Sequence, residues 1–139
     1  MNSKITILLN KTVDNVNETC PKATLDIKEN IKNRDWTIKN YGYGPLNPDY
    51  PDIGFWEKKA ELWNSDIDTV KTAKCGNCAA FDQTSKIISC MIEGINETKL
   101  ADPYDVQQHA NLGYCQLFKF KCAATRTCDA WLHGGPIID

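Results

Sequence analysis

Seven cysteines are the side chains of this sequence best suited to chemistry, and six of them lie in its second half. The first two of these six form a Cys-x2-Cys pair, and the other four follow singly. Thiolates select zinc, copper(I) and iron–sulfur clusters, and a Cys-x2-Cys turn presents two sulfurs to one site. The residue types and their spacing therefore indicate metal binding. The six are Cys75, Cys78, Cys90, Cys115, Cys122 and Cys128.

Other chemistries fit the spacing less well. A zinc ribbon needs a second Cys-x2-Cys pair, whereas Cys115, Cys122 and Cys128 are separated by six and five residues. A thioredoxin-type dithiol needs a strand leading into its motif, and here a polar helix is predicted instead. The two histidines, His109 and His133, have no partner at metal-ligand spacing. No acid–base or nucleophile pattern indicates an enzyme.

Composition excludes several classes of partner. The chain carries 16 basic and 18 acidic side chains, for a net charge of −2, and has no basic stripe of the kind that binds nucleic acid. The longest aliphatic run, residues 5–9, is too short for a membrane span or for the core of a signal peptide. We therefore expect a protein of the cytoplasm or of a virion, without an export signal. In a reducing compartment, clustered thiols bind metal more often than they form disulfides.

The elements that must position the cysteines begin with a helix predicted over Phe55–Asn64. Its aromatic and small residues recur at helical spacing and predict a buried face, with the charged residues facing water. A capping sequence that begins at Ser65 predicts a further helical segment to Ala73, so that the first cysteine pair follows a helix end. The buried face comprises Phe55, Trp56, Ala60 and Trp63, and the exposed face comprises Glu57, Lys58, Lys59 and Glu61.

Two more helices and a hairpin are predicted around the later cysteines. One helix spans Ser85–Glu93, carries Cys90 and stops at Gly94. Another begins at the cap formed by Asp102-Pro103. Residues 114–121 alternate loosely and predict a β-hairpin. The expected fold class is a small, irregular, loop-rich α+β fold, with several short helices and a small hairpin around a metal cluster.

The N-terminal residues are predicted to form an extended arm. Residues 4–9 have strand composition, while residues 10–40 show no sustained period, so extended segments, loops and a small hairpin are expected there. Tyr41–Gly54 holds three prolines and three glycines and predicts an irregular connector. The domain boundary therefore separates residues 1–54, the arm with its connector, from residues 55–139, the cysteine-rich domain.

Three segments resemble high-potential iron–sulfur proteins. CGNCAAF, residues 75–81, is similar to the Cys-x-Asn-Cys-x-x-Tyr motif of that family. GYCQLF, residues 113–118, resembles its Gly-x-Cys-x-Leu-Phe motif, and TCDAW, residues 127–131, resembles its final Cys-x-x-Trp. The resemblance covers about the last half of the chain and implies a 4Fe–4S cluster that cycles by one electron. It implies Cys75, Cys78, Cys115 and Cys128 as ligands, with Phe81, Tyr114, Phe118, Phe120 and Trp131 as the aromatic residues that shield the cluster.

The sequence departs from that family's pattern in three ways. First, 36 residues separate Cys78 from Cys115, far more than in the family, which implies an insertion. Second, Cys90 and Cys122 have no counterpart; they are candidates for a disulfide, for plain buried thiols or, in the case of Cys90, for the third ligand in place of Cys115. Third, family members are typically exported carriers, and no export signal is recognised here. Cys20, isolated in the arm, is expected to be unpaired.

The cysteine-rich segments also resemble small proteins of tailed bacteriophages. That resemblance implies a structural or redox-responsive cluster protein within a larger assembly, such as a phage tail or baseplate, with residues 1–54 docked on partner subunits. The first alternative is a soluble high-potential one-electron carrier with the same ligands. The second is a structural zinc-binding protein with a disulfide elsewhere. Neither nucleic acid nor a membrane is expected as a partner.

Overall fold

Residues 20–98 and 102–139 are described by the computed structural model, and they form a small mixed α+β fold around a three-stranded antiparallel sheet. The predicted class, a loop-rich α+β fold with short helices and a hairpin, is confirmed at this level. In chain order, the helices are α1 (Lys22–Leu25), α2 (Ile27–Tyr41), α3 (Ile53–Leu62), α4 (Ile67–Val70), α5 (Ser85–Thr98) and α6 (Pro103–Ala110). The strands are β1 (Phe81–Asp82), β2 (Leu112–Cys115) and β3 (Phe120–Ala123), and a 3₁₀ turn spans Cys75–Asn77.

The first two helices correct the prediction of an extended arm. Extended segments, loops and a small hairpin were expected over residues 10–40, and this expectation is wrong for residues 22–25 and 27–40, which are helical. The Asp26 side chain caps α2 by accepting hydrogen bonds from the backbone N–H groups of Lys28 and Glu29. Gly42 ends the helix in the left-handed conformation, at φ 58°. The strand expected at residues 4–9 lies outside the described residues.

Helix α2 packs on the sheet through polar side chains. The Asn33 side-chain amide donates to the Lys119 carbonyl at 2.7 Å, and the Lys121 N–H donates to the Asn30 side-chain oxygen at 2.6 Å. Thr37, which is fully buried, donates to the carbonyl of Asn33. The two bonds made by Asn33 and Asn30 satisfy backbone groups at the start of β3, so the helix covers a strand edge that would otherwise present unpaired groups. The described part of the arm is therefore folded against the cysteine-rich part of the chain.

The sheet confirms the predicted hairpin and orders the later cysteines. Strand β2 pairs with β3, and β1 pairs with the other edge of β2. Cys115 lies opposite Phe81 on one side and opposite Phe120 on the other. Cys122 is two residues beyond Phe120, and residues two apart on a strand share a face. One face of the sheet therefore carries both cysteines and both aromatic rings.

The remaining helices are close to their predicted positions, with three corrections. Helix α3 buries Trp56 and Ala60 as expected, but Lys59, predicted to face water, is buried as well. Asp66, rather than the predicted Ser65, caps α4 by accepting from the Thr69 N–H at 2.7 Å. Helix α5 does not stop at Gly94 but continues to Thr98. Helix α6 begins at the predicted Asp102 cap and is confirmed.

A disulfide corrects the expectation for Cys20. The sulfurs of Cys20 and Cys90 are 2.10 Å apart, and the two residues are 70 positions apart in sequence. Cys20 is therefore paired, and Cys90 is joined to it rather than to Cys122. The bond ties the start of the described chain to the middle of α5. In the described ranges, no helix is long and apolar enough to cross a membrane.

Gly94→Ala is expected to destabilise the fold by about 1–3 kcal/mol, because an added Cβ would overlap the backbone carbonyl of Thr24 where α1 crosses α5. Urea unfolding measures the change. Gly54→Ala is the matched control: it also lies in a helix, but a Cβ there meets nothing within 4 Å. Alanine at position 54 is expected to leave stability unchanged or to raise it by up to about 1 kcal/mol. Equal effects of the two substitutions would contradict the close crossing of α1 and α5.

Candidate metal centre

Five cysteines other than the disulfide pair are free and buried, and they line one cavity. They come from separate parts of the chain: the 3₁₀ turn, β2, β3 and the turn after β3. The volume of the cavity that the centre of a water molecule can occupy is about 20 Å³, so the cavity has room for about one water. The four cysteines implied as ligands by the family resemblance are thus brought together. The five are Cys75, Cys78, Cys115, Cys122 and Cys128.

The first cysteine pair is held by the turn that follows β3. The N–H of Cys75 donates to the Arg126 carbonyl at 2.6 Å, and the N–H of Gly76 donates to the Ala124 carbonyl at 3.0 Å. A side chain at Gly76 would press on Ala124, so glycine allows this close approach. The N–H of Cys78 then closes the turn on the Cys75 carbonyl at 2.9 Å. Both sulfurs are thereby fixed relative to the hairpin.

Cys128 is fixed by backbone bonds on both sides. Thr127 exchanges two backbone hydrogen bonds with Gly44, at 2.6 and 3.0 Å. The N–H of Asp129 donates to the Tyr41 carbonyl at 2.7 Å. Residues 41–44, which the sequence assigned to an irregular connector, therefore hold the last cysteine in place.

Backbone N–H groups point at three of the five sulfurs. The Phe118 N–H donates to the Cys115 sulfur at 3.4 Å. Backbone N–H groups also reach the sulfur of Cys78, from Ala80, and that of Cys128, from Ala130, and in each case they lower the pKa of the thiol. Hydrogen bonds of this kind favour the thiolate and tune the potential of a bound cluster.

Burial raises the pKa of these thiols and outweighs the hydrogen bonds that lower it. Burial, with a smaller contribution from neighbouring thiols, raises the pKa of Cys115 and of Cys128 to about 12. The pKa of Cys78 is raised by burial as well, and that of the fully buried Cys122 is raised well above its ordinary value. Without a cation these four thiols are therefore protonated at neutral pH, and a metal would displace the protons of those that it binds.

Cys122 differs from the other four in its surroundings. It is fully buried on β3, and its thiol is hydrogen-bonded to the thiol of Cys75. The sequence left its role open. The structure places it in the same cavity as the four cysteines of the family resemblance and places Cys90 outside that cavity, in the disulfide.

The predicted aromatic shield is only partly assembled at the cavity. Phe81, Phe118 and Phe120 line it. Trp131 packs at the edge of the same core, where its indole N–H donates to the Lys74 carbonyl at 2.9 Å. Tyr114 is the exception. It points away from the cysteines into a second core with Ala23, Ile87 and Met91, because neighbouring residues on a strand face opposite ways.

Two residues that sequence reasoning missed complete the site. Tyr43 lines the cavity, its ring packs edge-on against Phe120 at 4.9 Å, and its hydroxyl accepts from the Ala123 N–H at 3.0 Å. Lys59 forms a buried ion pair with Asp129, the residue after Cys128, and its charge lowers the pKa of the Cys128 thiol. Tyr43 lies in the predicted connector and Lys59 on the predicted solvent face, so neither carried a signal for the site.

The thiols do not form a preassembled metal site. Within residues 20–98 and 102–139, no group of three or more His, Cys, Asp or Glu side chains is placed to hold a metal ion. At a tetrahedral zinc site, sulfurs at about 2.3 Å from the metal stand about 3.8 Å from one another. In a 4Fe–4S cluster each thiolate binds a different iron, so the sulfurs surround a wider space. The five thiols line a cavity with room for about one water, so either arrangement requires the side chains to move.

Comparisons with models of protein families, with curated proteins and with solved structures find no match for this chain. The assignment of the site therefore depends on the chemistry and geometry of its own residues. Those residues are a set of buried thiols, three of them with N–H donors at sulfur, enclosed by aromatic rings.

In the metal-free protein, the unfolding free energy is expected to fall as the pH rises above about 9. The thiols of Cys78, Cys115, Cys122 and Cys128 have a higher pKa in the folded chain, about 12 for Cys115 against an ordinary value of 9.0, so folding is penalised once the unfolded chain can release its protons. Stability from this source is complete below pH 9 and is lost towards pH 12. Urea unfolding under anaerobic conditions with a chelator, at pH 7.5 and pH 9.8, measures the change. A Cys115→Ala variant should lose less stability over this range, and an equal loss would contradict the assigned cause.

Proposed function

We propose that this protein binds a 4Fe–4S cluster through Cys75, Cys78, Cys115 and Cys128. The observation that carries the proposal is the convergence of five buried thiols, from four separate parts of the chain, on one cavity. Buried cysteines can pack as small apolar side chains, but thiolates are also the ligands that iron–sulfur clusters require. A cluster bound here would join the turn, the hairpin and the segment after it.

The fit of the site to a cluster is good in its donors and tight in its volume. Thiolates are the usual ligands of such clusters, and the backbone N–H groups at Cys78, Cys115 and Cys128 support the charged form of the sulfurs. The cavity has room for about one water, so the surrounding side chains must move outward to admit four irons. Leu117 and Phe118 line the cavity and are not fully buried, which makes them the side chains best able to move.

The choice of four ligands among five thiols follows from their surroundings. Cys78, Cys115 and Cys128 each accept a backbone N–H, and Cys75 shares its turn with Cys78. Cys122 instead forms a hydrogen bond with the thiol of Cys75. We assign Cys122 as the thiol that stays protonated and donates a hydrogen bond to a ligand sulfur. A hydrogen bond to a ligand sulfur tunes the potential of a cluster without coordinating it.

The role that we propose is a structural or redox-responsive component of a larger assembly, such as a phage tail or baseplate. Support comes from Ile27, Ile31 and Ile38 of α2, which are spaced by four and seven residues and so form one stripe. Their exposed fractions are 52%, 40% and 37%. An apolar stripe on the outer face of a helix is typical of a surface that packs against another protein. This stripe belongs to residues 1–54, the segment predicted to dock on partner subunits.

A second candidate function, a one-electron carrier, is favoured by a row of aromatic rings. Trp36 is half exposed, its ring lies 5.7 Å from that of Tyr41, and the Tyr41 ring lies 4.7 Å from that of Phe118. Phe118 lines the cysteine cavity. The row therefore runs from the surface to the proposed cluster, where an electron would enter or leave.

Metal analysis of anaerobically purified protein tests the cluster itself. We expect about four irons and four acid-labile sulfides per chain, with a brown visible spectrum. Zinc without sulfide would overturn the proposal and support the zinc alternative, in which the thiols close around one ion. Metal-free protein that retains its native circular dichroism would show that the five thiols serve only as packing.

Oligomeric state and redox behaviour separate the two roles. A carrier is expected to be a monomer with a reversible one-electron potential. An assembly component is expected to self-associate or to bind partner subunits through the stripe of α2, and Ile31→Lys should abolish that association while leaving the iron content unchanged. Association that survives the substitution would contradict the role given to the stripe.

A further inference from the structure

A second, larger cavity lies on the other side of the Cys128 segment. It is a groove of about 940 Å³ between the end of α2, the loop that follows it, and α3. Arg126 and Asp129, from the segment after β3, line the same groove. Ligand sites in proteins occupy clefts of about 300–1,000 Å³, so the groove is large enough to enclose a small organic molecule. It shares Tyr43 with the cysteine cavity but is lined by none of the cysteines.

The charged side chains of the groove give it a positive balance in an acidic protein. Four cations line it, namely Lys39, Lys58, Lys59 and Arg126, and the two acids that do so are Glu61 and Asp129. Lys59 and Asp129 neutralise each other in the buried ion pair. Three cations therefore remain against one acid, although the chain as a whole carries a net charge of −2. A local excess of cations attracts an anionic ligand.

Arg126 is the cation best placed to bind an anion. One of its terminal N–H groups donates to the Leu46 carbonyl at 3.2 Å, and its guanidinium carbon lies 5.6 Å from the centre of the Tyr43 ring. Its Nε is buried and has no hydrogen-bond partner among the residues described. A buried N–H donor without a partner is uncommon in native proteins. A guanidinium held by a ring, with unused donors, suits two-point binding of a carboxylate.

Most of the uncharged side chains that line the groove are apolar, with Asn40 as an exception. Leu46, Phe55 and Leu62 contribute to its walls, and the side chains of Leu46 and Leu62 are exposed at 84% and 60%. Exposed leucines gain from contact with an apolar body. A bare inorganic anion would leave them in water.

We propose that this groove binds a small amphipathic carboxylate, with its head group on Arg126 and its apolar body between Leu46 and Leu62. Selectivity needs both parts of the ligand. Arg126 alone would bind any small anion, and the leucines alone would bind any apolar molecule. The proposal does not depend on the cluster, because the groove and the cysteine cavity are separate. An acidic segment of a partner protein is the competing occupant, and it is distinguished by the test below.

Calorimetric titration of the full-length protein with sodium octanoate tests the proposal. We expect saturable binding of one molecule per chain. Acetate, which has the head group alone, and octylammonium, which has the apolar body with the opposite charge, are expected to bind at least about tenfold more weakly. Equal binding of octanoate and octylammonium, or the absence of saturable octanoate binding, would overturn the proposal. The second result would favour a protein segment as the occupant.

Two variants locate the binding site. Arg126→Gln is expected to weaken octanoate binding about tenfold, since it keeps a donor for the Leu46 carbonyl and removes the positive charge. Lys86→Gln is the matched control, because it removes an exposed cation of α5 that does not line the groove, and it should leave binding unchanged. If Arg126→Gln fails to fold, Leu62→Ser serves instead, and binding should again weaken. Unchanged affinity in a folded Arg126→Gln or Leu62→Ser variant would place octanoate elsewhere.

Discussion

Replacing Cys115 with alanine is expected to abolish binding of the proposed iron–sulfur cluster. Cys115 lies at the centre of the sheet, paired with residues of both neighbouring strands, and its sulfur accepts the Phe118 N–H. Alanine offers no ligand atom, so one iron of a 4Fe–4S cluster would lack its protein ligand. We expect iron and labile sulfide to fall from about four of each per chain to below about one, with loss of the brown colour. Metal analysis after anaerobic purification measures both.

Cys122→Ala is the matched control for this substitution. Cys122 lies on the same face of the sheet and is as deeply buried, so its replacement removes the same sulfur and methylene volume from the same cavity. A Cys122→Ala variant should keep its cluster, with a potential changed by the loss of the S–H bond to Cys75. Loss of the cluster in Cys122→Ala and its retention in Cys115→Ala would show that the ligand set is wrong. Loss in both would assign the effect to the collapse of the cavity.

Much of the candidate site could be predicted because its residues are marked by type and spacing. Cysteine is uncommon, and the Cys75 and Cys78 pair fixes its own geometry through a short turn. The hairpin was readable from loose alternation over residues 114–121, and alternation also decides which side chains share a face. The error over Tyr114 came from counting aromatic residues near the cysteines instead of following that alternation, which sends Tyr114 to the opposite core.

Helix α2 could not be predicted because polar side chains form its inner face and apolar side chains form its outer face. Its inner face carries Asn30, Asn33 and Thr37, which bond to the edge of the sheet or within the helix, whereas its outer face carries the isoleucine stripe. Periodicity methods identify a helix by an apolar face and assign that face to the core. The disulfide could not be predicted either, since pairing across 70 residues leaves no local signal in the sequence. Contacts between distant segments of the chain determine both the position of α2 and the pairing of Cys20.

Periodicity also placed Lys59 wrongly, on the face of α3 that meets water, whereas its side chain is buried in an ion pair with Asp129. This ion pair leads to a prediction about stability. Asp129→Asn is expected to destabilise the protein by about 3 kcal/mol, because the Lys59 ammonium is left buried without a countercharge. The Lys59 side chain is only 3% exposed, so water cannot replace the carboxylate. This cost of about 3 kcal/mol is at the lower end of the range for breaking a buried ion pair. The reason is that the Asp129 side chain is 28% exposed, so water already screens part of the interaction. Urea unfolding of proteins with equal iron content measures the loss.

The opposite replacement separates the ion pair from simple packing. Lys59→Met keeps a long apolar stem beside the Phe55 and Trp63 rings and leaves behind a carboxylate that water can reach, so its cost is expected to be on the order of 1 kcal/mol. In the double variant no charge is buried. Its stability is therefore expected to exceed that of Asp129→Asn, because an apolar pair often replaces a buried ion pair at little cost. Additive losses in the double variant would mean that the two side chains do not interact, and a neutral Asp129→Asn would mean that Lys59 reaches water.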